Sequence, residues 1–83
     1  MKHKLKIMLA KHFAGIETDY SDIIRAAYAM QDELTQKVIK HYANGGNGKM
    51  APCLFFISES AYYKRLRNFA TVIETVAVIE GRK

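Results

Sequence analysis

The feature that most limits how this chain can fold is a run of apolar residues at helical spacing. These residues recur every three or four positions, at Tyr20, Ile23, Ile24, Ala27, Met30, Leu34, Val38 and Tyr42. Such spacing places them on one face of a helix and leaves the charged side chains on the other. Thr18, Asp19 and Ser21 are all suitable N-caps, and the glycine- and asparagine-rich stretch 44–48 supplies a stop. The pattern predicts one helix from about Tyr20 to Ala43.

The segment before this helix is also predicted to be helical. Its apolar residues share one helical face, at Leu5, Met8, Leu9, Phe13 and Ile16. An alternating strand would explain Leu5, Ile7 and Leu9 but would leave Phe13 and Ile16 unexplained. We therefore expect a short basic helix that Gly15 closes.

The C-terminal segment permits two interpretations. A helix is favoured by the heptad-like spacing of Tyr62, Leu66, Phe69, Ile73 and Val76, with Ser58 as N-cap and Gly81 as stop. A strand is favoured because positions 71–79 are rich in β-branched residues. The stretch 54–57 is short and wholly apolar, so it is expected to be buried as a strand or a helical turn.

Together these segments predict one domain, residues 1–83, of mostly α fold. It would hold about three helices and a long Gly/Asn loop. The alternative is an α/β fold with short strands near 54–57 and 72–79. A chain of 83 residues has room for one domain only.

The sequence shows none of the motifs that accompany common enzymatic chemistry. Gly48 and Lys49 resemble a phosphate-binding loop, but Ala43 and Met50 stand where that motif needs a glycine and a hydroxyl. The single cysteine, Cys53, excludes an internal disulfide and is interpreted as a small buried hydrophobe. We expect a cytoplasmic protein with no catalytic residue, no metal and no cofactor. No apolar run approaches the length of a membrane span, so no membrane partner is expected.

A basic and aromatic stretch is the candidate site for an anionic partner. The chain has a formal charge of +5, and aromatic and basic residues stand together at positions 62–67, near the start of the last segment. Rings stack on bases and guanidinium groups bind phosphates, so this pattern is typical of nucleic-acid binding. The residues concerned are Tyr63, Lys64, Arg65 and Arg67, with Lys4 and Lys11 from the first helix. The ordinary interpretation is a solvated helix face.

Apolar residues outside the main stripe are the candidate protein interface. Val72, Val78 and Ile79 lie off the stripe of the last segment, so a helix there would need a second surface to cover it. Gln31 falls inside the stripe of the middle helix, where a buried amide needs partners. These four residues predict contact with a protein partner or a second copy of the chain.

The expected function is therefore that of a small non-enzymatic interaction protein. It would bind a larger macromolecular partner and inhibit it, as small phage and plasmid inhibitors do; that comparison is a prior only and no inference from residues. A homo-oligomer is also expected. The alternative function is a nucleic-acid-binding module that uses the basic and aromatic helix face.

Overall fold

The computed structural model describes residues 2–81, and the side chains of residues 5–81. This part of the chain is mostly helical, which confirms the predicted fold class. Its helices are α1 (Lys2–Phe13), α2 (Ser21–Ala29), α3 (Glu33–Ala43), α4 (Ala51–Leu54) and α5 (Glu59–Ile79), with a 3-10 turn at Gly48–Met50 before α4. There are more helices than the three expected. Residues 2–81 contain no strand, so the α/β alternative is wrong.

The longest helix, α5, is the element against which α2, α3 and α4 pack, while α1 packs on α2 and α3. Its 21 residues span about 32 Å at the usual helical rise, close to the 39 Å length of the molecule. It contacts α2, α3, α4 and the 3-10 turn. The stripe predicted from heptad-like spacing is its buried face, formed by Tyr62, Leu66, Phe69, Ala70, Ile73 and Ala77. The predicted Ser58 cap is present, since its hydroxyl accepts a hydrogen bond from the Ala61 amide at 3.0 Å.

The single middle helix predicted for residues 20–43 is wrong, because the chain breaks between Ala29 and Glu33. Asp32 adopts an extended backbone conformation and its side chain accepts a hydrogen bond from the Thr35 amide at 3.2 Å. Capping of this kind competes with helix continuation at the same residue. Met30, which the prediction placed in the apolar stripe, is consequently exposed.

Side chains from α3 and α5 stabilise this break. Gln36 donates a hydrogen bond to the Tyr28 carbonyl at 2.9 Å, which satisfies one of the free carbonyls at the end of α2. Arg65 of α5 donates to the Thr35 hydroxyl and lies 3.6 Å from the Asp32 carboxylate. The hydrogen bonds from Thr35 hold the pKa of Asp32 below its ordinary value, and Arg65 adds to the effect. The start of α3 is therefore tied to α5.

The first helix follows its prediction except at Ile16, which was placed on the apolar face but lies beyond the end of α1 and is exposed. Leu5 and Leu9 are buried, Phe13 packs against the core, and Ile7 is exposed, as the helical interpretation requires. Gly15 follows with a φ of 86°, a conformation that side chains with a Cβ rarely adopt. Leu9 lies in the same core as Ile24, Val38 and Phe69 from the other long helices. None of the described helices combines the length and the apolar character that crossing a bilayer demands.

The stretch 54–57 is not buried as predicted. Leu54 ends α4 and is half exposed, Phe56 is exposed, and only Phe55 and Ile57 pack against the core. Alternate residues of this stretch face opposite ways because it forms a turn between two helices. The apolar residues of this stretch therefore do not mark a buried strand, since two of the four are exposed.

Replacement of Gly46 by alanine tests the packing of the loop that precedes α4. A methyl group at Gly46 would overlap the imidazole ring of His41, and such overpacking costs about 1–3 kcal/mol. We expect G46A to lower the free energy of unfolding by that amount in urea denaturation. In an H41A background the same change should cost much less, because the overlapping ring is gone. An equal cost in both backgrounds would contradict this account.

His12 gives the fold a pH dependence of known sign. Burial and the charge of Arg25 hold the pKa of His12 below its ordinary value of 6.5. The unfolded chain then takes up a proton at a higher pH than the folded chain does, so stability falls as the pH drops through this range. Urea midpoints measured at about pH 7.5 and about pH 5.5 should differ less for H12Q than for the unsubstituted protein. If the two urea midpoints differ by the same amount in H12Q, His12 does not cause the loss of stability at low pH.

Candidate functional site

The most unusual residue in the structure is Phe56, which joins α4 to α5. Its φ of 58° lies in the left-handed region, which costs an ordinary residue about 1–2 kcal/mol and is usually left to glycine or asparagine. Its side chain is nevertheless 89% exposed. The aromatic ring therefore gains no burial in return for the strained backbone. Strain of this kind clusters at functional sites.

Two further apolar side chains are exposed close to Phe56 in the chain. Met50 is 51% and Leu54 is 50% exposed, and their spacing of four residues across the start of α4 places them on one side of that helix. We call Met50, Leu54 and Phe56 the 50–56 patch. Single exposed apolar residues are normal on soluble proteins. Three of them lie within seven residues, one on a strained backbone, so this segment is the candidate functional site.

The patch rests on a well-ordered base. Ala51 is fully buried, and the Gly48 amide donates a hydrogen bond to the Tyr63 hydroxyl at 3.0 Å. The Asn47 side chain accepts a hydrogen bond from the Lys49 amide at 2.9 Å, which caps the 3-10 turn. The segment is thereby fixed to α5 before the patch begins, and Ser58 fixes it again after Phe56.

A cluster of rings lies beneath the patch. The Phe55 ring centroid is 5.5 Å from that of His41 and 6.3 Å from that of Tyr62. Tyr62 is fully buried, and its hydroxyl lies 2.8 Å from Nδ1 of His41 in a hydrogen bond. Burial raises the pKa of Tyr62, so the hydroxyl keeps its proton. The Phe55 ring packs into this cluster, whereas the Phe56 ring points into solvent.

Cys53 also lies in this segment, and its prediction was wrong. It was interpreted as a small buried hydrophobe, but it is exposed on α4. The reason is that α4 has four residues and buries only Ala51. In the part of the chain that the structure describes, no group of three or more histidine, cysteine or acidic residues is placed to hold a metal ion.

The apolar residues predicted as an interface are exposed but do not form one surface. Val78 is 75% and Ile79 is 77% exposed, and Val72 is partly exposed. Val72 and Ile79 are seven residues apart on α5 and so lie on one side of it. Val78 lies on another side, in line with Arg67, Thr71 and Glu74 at helical spacing. Gln31 lies half-buried in the break between α2 and α3, where its amide donates to the Ala27 carbonyl at 3.2 Å.

The residues predicted to bind an anionic partner do not form one surface either. Arg65 is half-buried and bound to Thr35 and Asp32, and the Tyr63 hydroxyl accepts from Gly48. Lys64 and Arg67 are exposed on α5, and Lys11 is exposed on α1. The side chain of Lys4 lies outside the described residues. Arg65 thus has a role in holding α3 against α5.

A groove of about 170 Å³ lies on the side of α5 that faces α1. Its buried lining consists of Leu5, Tyr42, Leu66 and Ala70, and Tyr63 is half-buried beside them. Arg67, Thr71 and Glu74 form its exposed edge. Burial raises the pKa of Tyr42, and the neighbouring Tyr63 adds to the rise, so this lining is uncharged at neutral pH. Neither this groove nor the exposure of Phe56 was predicted from the sequence.

One signal in the sequence pointed towards Phe56. The segment between Pro52, which starts α4, and Ser58, which caps α5, holds two adjacent phenylalanines. Adjacent side chains in so short a turn cannot both face the core. The sequence does not say which of the two faces outward.

The chain matches no protein-family model, and comparison with curated proteins and with solved structures gives no significant match either.

The two adjacent phenylalanines allow a matched test of this geometry. We expect F55A to lower the free energy of unfolding by about 2 kcal/mol, because it removes a partly buried ring. F56A should change it by less than about 0.5 kcal/mol, and F56G should raise it by up to about 1 kcal/mol by relieving the left-handed strain. Chemical denaturation of the three variants measures these differences. A large loss in F56A would mean that the ring supports the fold.

Proposed function

We propose that this protein is a small non-enzymatic interaction protein that docks on a larger protein through the 50–56 patch and blocks the surface it covers. The single observation that carries the proposal is Phe56, which combines a φ of 58° with an 89% exposed aromatic ring. Aromatic side chains that insert into a partner's pocket supply much of the energy of protein interfaces. Without a binding partner, an exposed phenylalanine on a strained backbone would lower the stability of the fold and add no packing.

The surroundings of Phe56 support a preformed contact surface. Met50 and Leu54 add apolar area beside it, and Lys49 and Glu59, which precede and follow the segment in the chain, are exposed and charged. Apolar side chains with a charged rim are typical of protein interfaces. The segment is fixed at Tyr63 and at Ser58, so little order has to be gained on binding.

The predicted interface residues join this proposal as additional contacts. Val72 and Ile79 lie on one side of the C-terminal half of α5. Gln31 is near Asp32, which Arg65 ties to the same helix. We propose that these residues widen the contact with the protein partner, and that the protein acts in the cytoplasm.

The alternative, a nucleic-acid-binding module, is supported by the exposed Lys64 and Arg67 on α5 and by the formal charge of +5. Two of the six residues that it needs, Arg65 and Tyr63, already make hydrogen bonds within the fold. Phosphate contacts are lost steeply as salt rises. This salt dependence separates the alternative from a contact through the patch.

A capture experiment with a matched control tests the proposed function. Immobilised protein, F56A and the control I16A, which shortens another exposed apolar side chain, are compared on nuclease-treated extract of the source cells. We expect one protein to be retained by the unsubstituted chain and I16A but to be lost with F56A, since an anchor side chain is worth about 2 kcal/mol or more. The retained protein, once purified, should bind in defined stoichiometry with the same ranking.

Two outcomes would contradict the proposal. Equal retention by F56A and the unsubstituted chain would show that the ring is not the anchor. Retention that occurs only in a parallel sample of extract without nuclease treatment, or that falls steeply with salt and is lost in the double variant K64A/R67A, would favour the nucleic-acid alternative.

A further inference from the structure

We infer that two copies of this chain associate through different surfaces, with Phe56 of one copy seated in the groove between α1 and α5 of the other. This contact goes beyond the proposed function, because it involves a second copy and a second surface. The argument rests on three features: the size of the groove, the charges at its edge, and the exposure of Phe56.

The groove has the size and lining that a phenyl ring needs. Its volume is about 170 Å³, and an apolar cavity of roughly 150 Å³ is large enough to bind benzene. Leu5, Leu66 and Ala70 give it an apolar base. Tyr42 and Tyr63 line it with rings, which pack favourably against a third ring in edge-to-face or offset geometry.

The charges around the groove complement those around Phe56. Arg67 and Glu74 lie on its exposed edge, about 10 Å apart along α5 by the helical rise. Lys49 precedes the patch and Glu59 follows it in the chain; both are exposed, and Glu59 packs beside Gly48, so the two charges lie at the same end of the segment. When Phe56 enters the groove, Lys49 can approach Glu74 while Glu59 approaches Arg67. Opposite charges at the rim fix the orientation of such a contact.

The two surfaces adjoin at Tyr63, which lines the groove and accepts a hydrogen bond from Gly48, but Phe56 and Thr71 each belong to one surface only, so each surface can be disabled through its own residue. A contact between unlike surfaces is heterologous, so each copy offers one ring and one groove. A variant without the ring still offers a groove, and a variant with a filled groove still offers a ring. A contact between identical surfaces would not behave in this way.

Mixing two disabled variants tests the inference. F56D places a charge where the ring should enter, and T71W fills the groove from its exposed edge. By sedimentation equilibrium at protein concentrations up to about 1 mM, the unsubstituted chain should be larger than a monomer and each variant alone should be a monomer. An equimolar mixture of the two variants should form a one-to-one dimer, since one ring and one groove remain intact.

Controls keep this test independent of folding. Circular dichroism must show that both variants are helical; should T71W fail to fold, the smaller T71F replaces it at the same edge of the groove. The rim is tested separately by K49E, which should weaken association about two- to fivefold, and by K49E/E74K, which should restore it.

A monomeric unsubstituted chain at all concentrations would overturn the inference and leave the proposed function standing, since that function is tested by capture of a different protein. A mixture that stays monomeric while the unsubstituted chain associates would also overturn it, because the contact would then use other surfaces. Association that survives F56D alone would do the same.

Discussion

The structure depends most on the burial of Tyr62 at the start of α5. Its ring is fully enclosed, and its hydroxyl has His41 of α3 as hydrogen-bond partner. A buried hydroxyl without a partner would cost about 1–3 kcal/mol, so this bond is a condition for placing a tyrosine there. His41 in turn has Gly46 against its ring and Phe55 at its edge. One interaction thus positions the loop after α3, the short helix α4 and the start of α5.

This arrangement explains why the candidate site is where it is. The ring cluster beneath α4 accepts one phenylalanine of the Phe55–Phe56 pair, and Ser58 must then begin α5 in the correct place. The left-handed turn at Phe56 satisfies both requirements within one residue. A glycine would satisfy them with less strain. The fold therefore needs a left-handed residue at position 56, but it does not need an aromatic side chain there.

Much of the fold could be predicted from the sequence, because the signals were local. Helical spacing, the Ser58 cap and the stop at Gly15 each depend on a few neighbouring residues. The break at Asp32 could not be predicted from spacing, since the apolar positions continue at helical intervals on both sides of it; it depends on a cap and on Arg65, 33 positions further along the chain. The outward orientation of Phe56 and the exposure of Cys53 were missed for a similar reason. Apolarity predicts burial, whereas the sign of φ in a turn is decided by what the neighbouring elements can accept.

The fixed ends of the segment that carries Phe56 also bear on kinetics. Hydrogen bonds to Tyr63 on one side and to Ser58 on the other leave few residues free between them. Under the proposed function, a ring presented in this way binds without the prior folding of a disordered loop. The association rate constant would then be set by diffusion and by the mutual orientation of two rigid bodies, at about 10⁵–10⁷ M⁻¹s⁻¹. Differences in affinity would come from the dissociation rate constant.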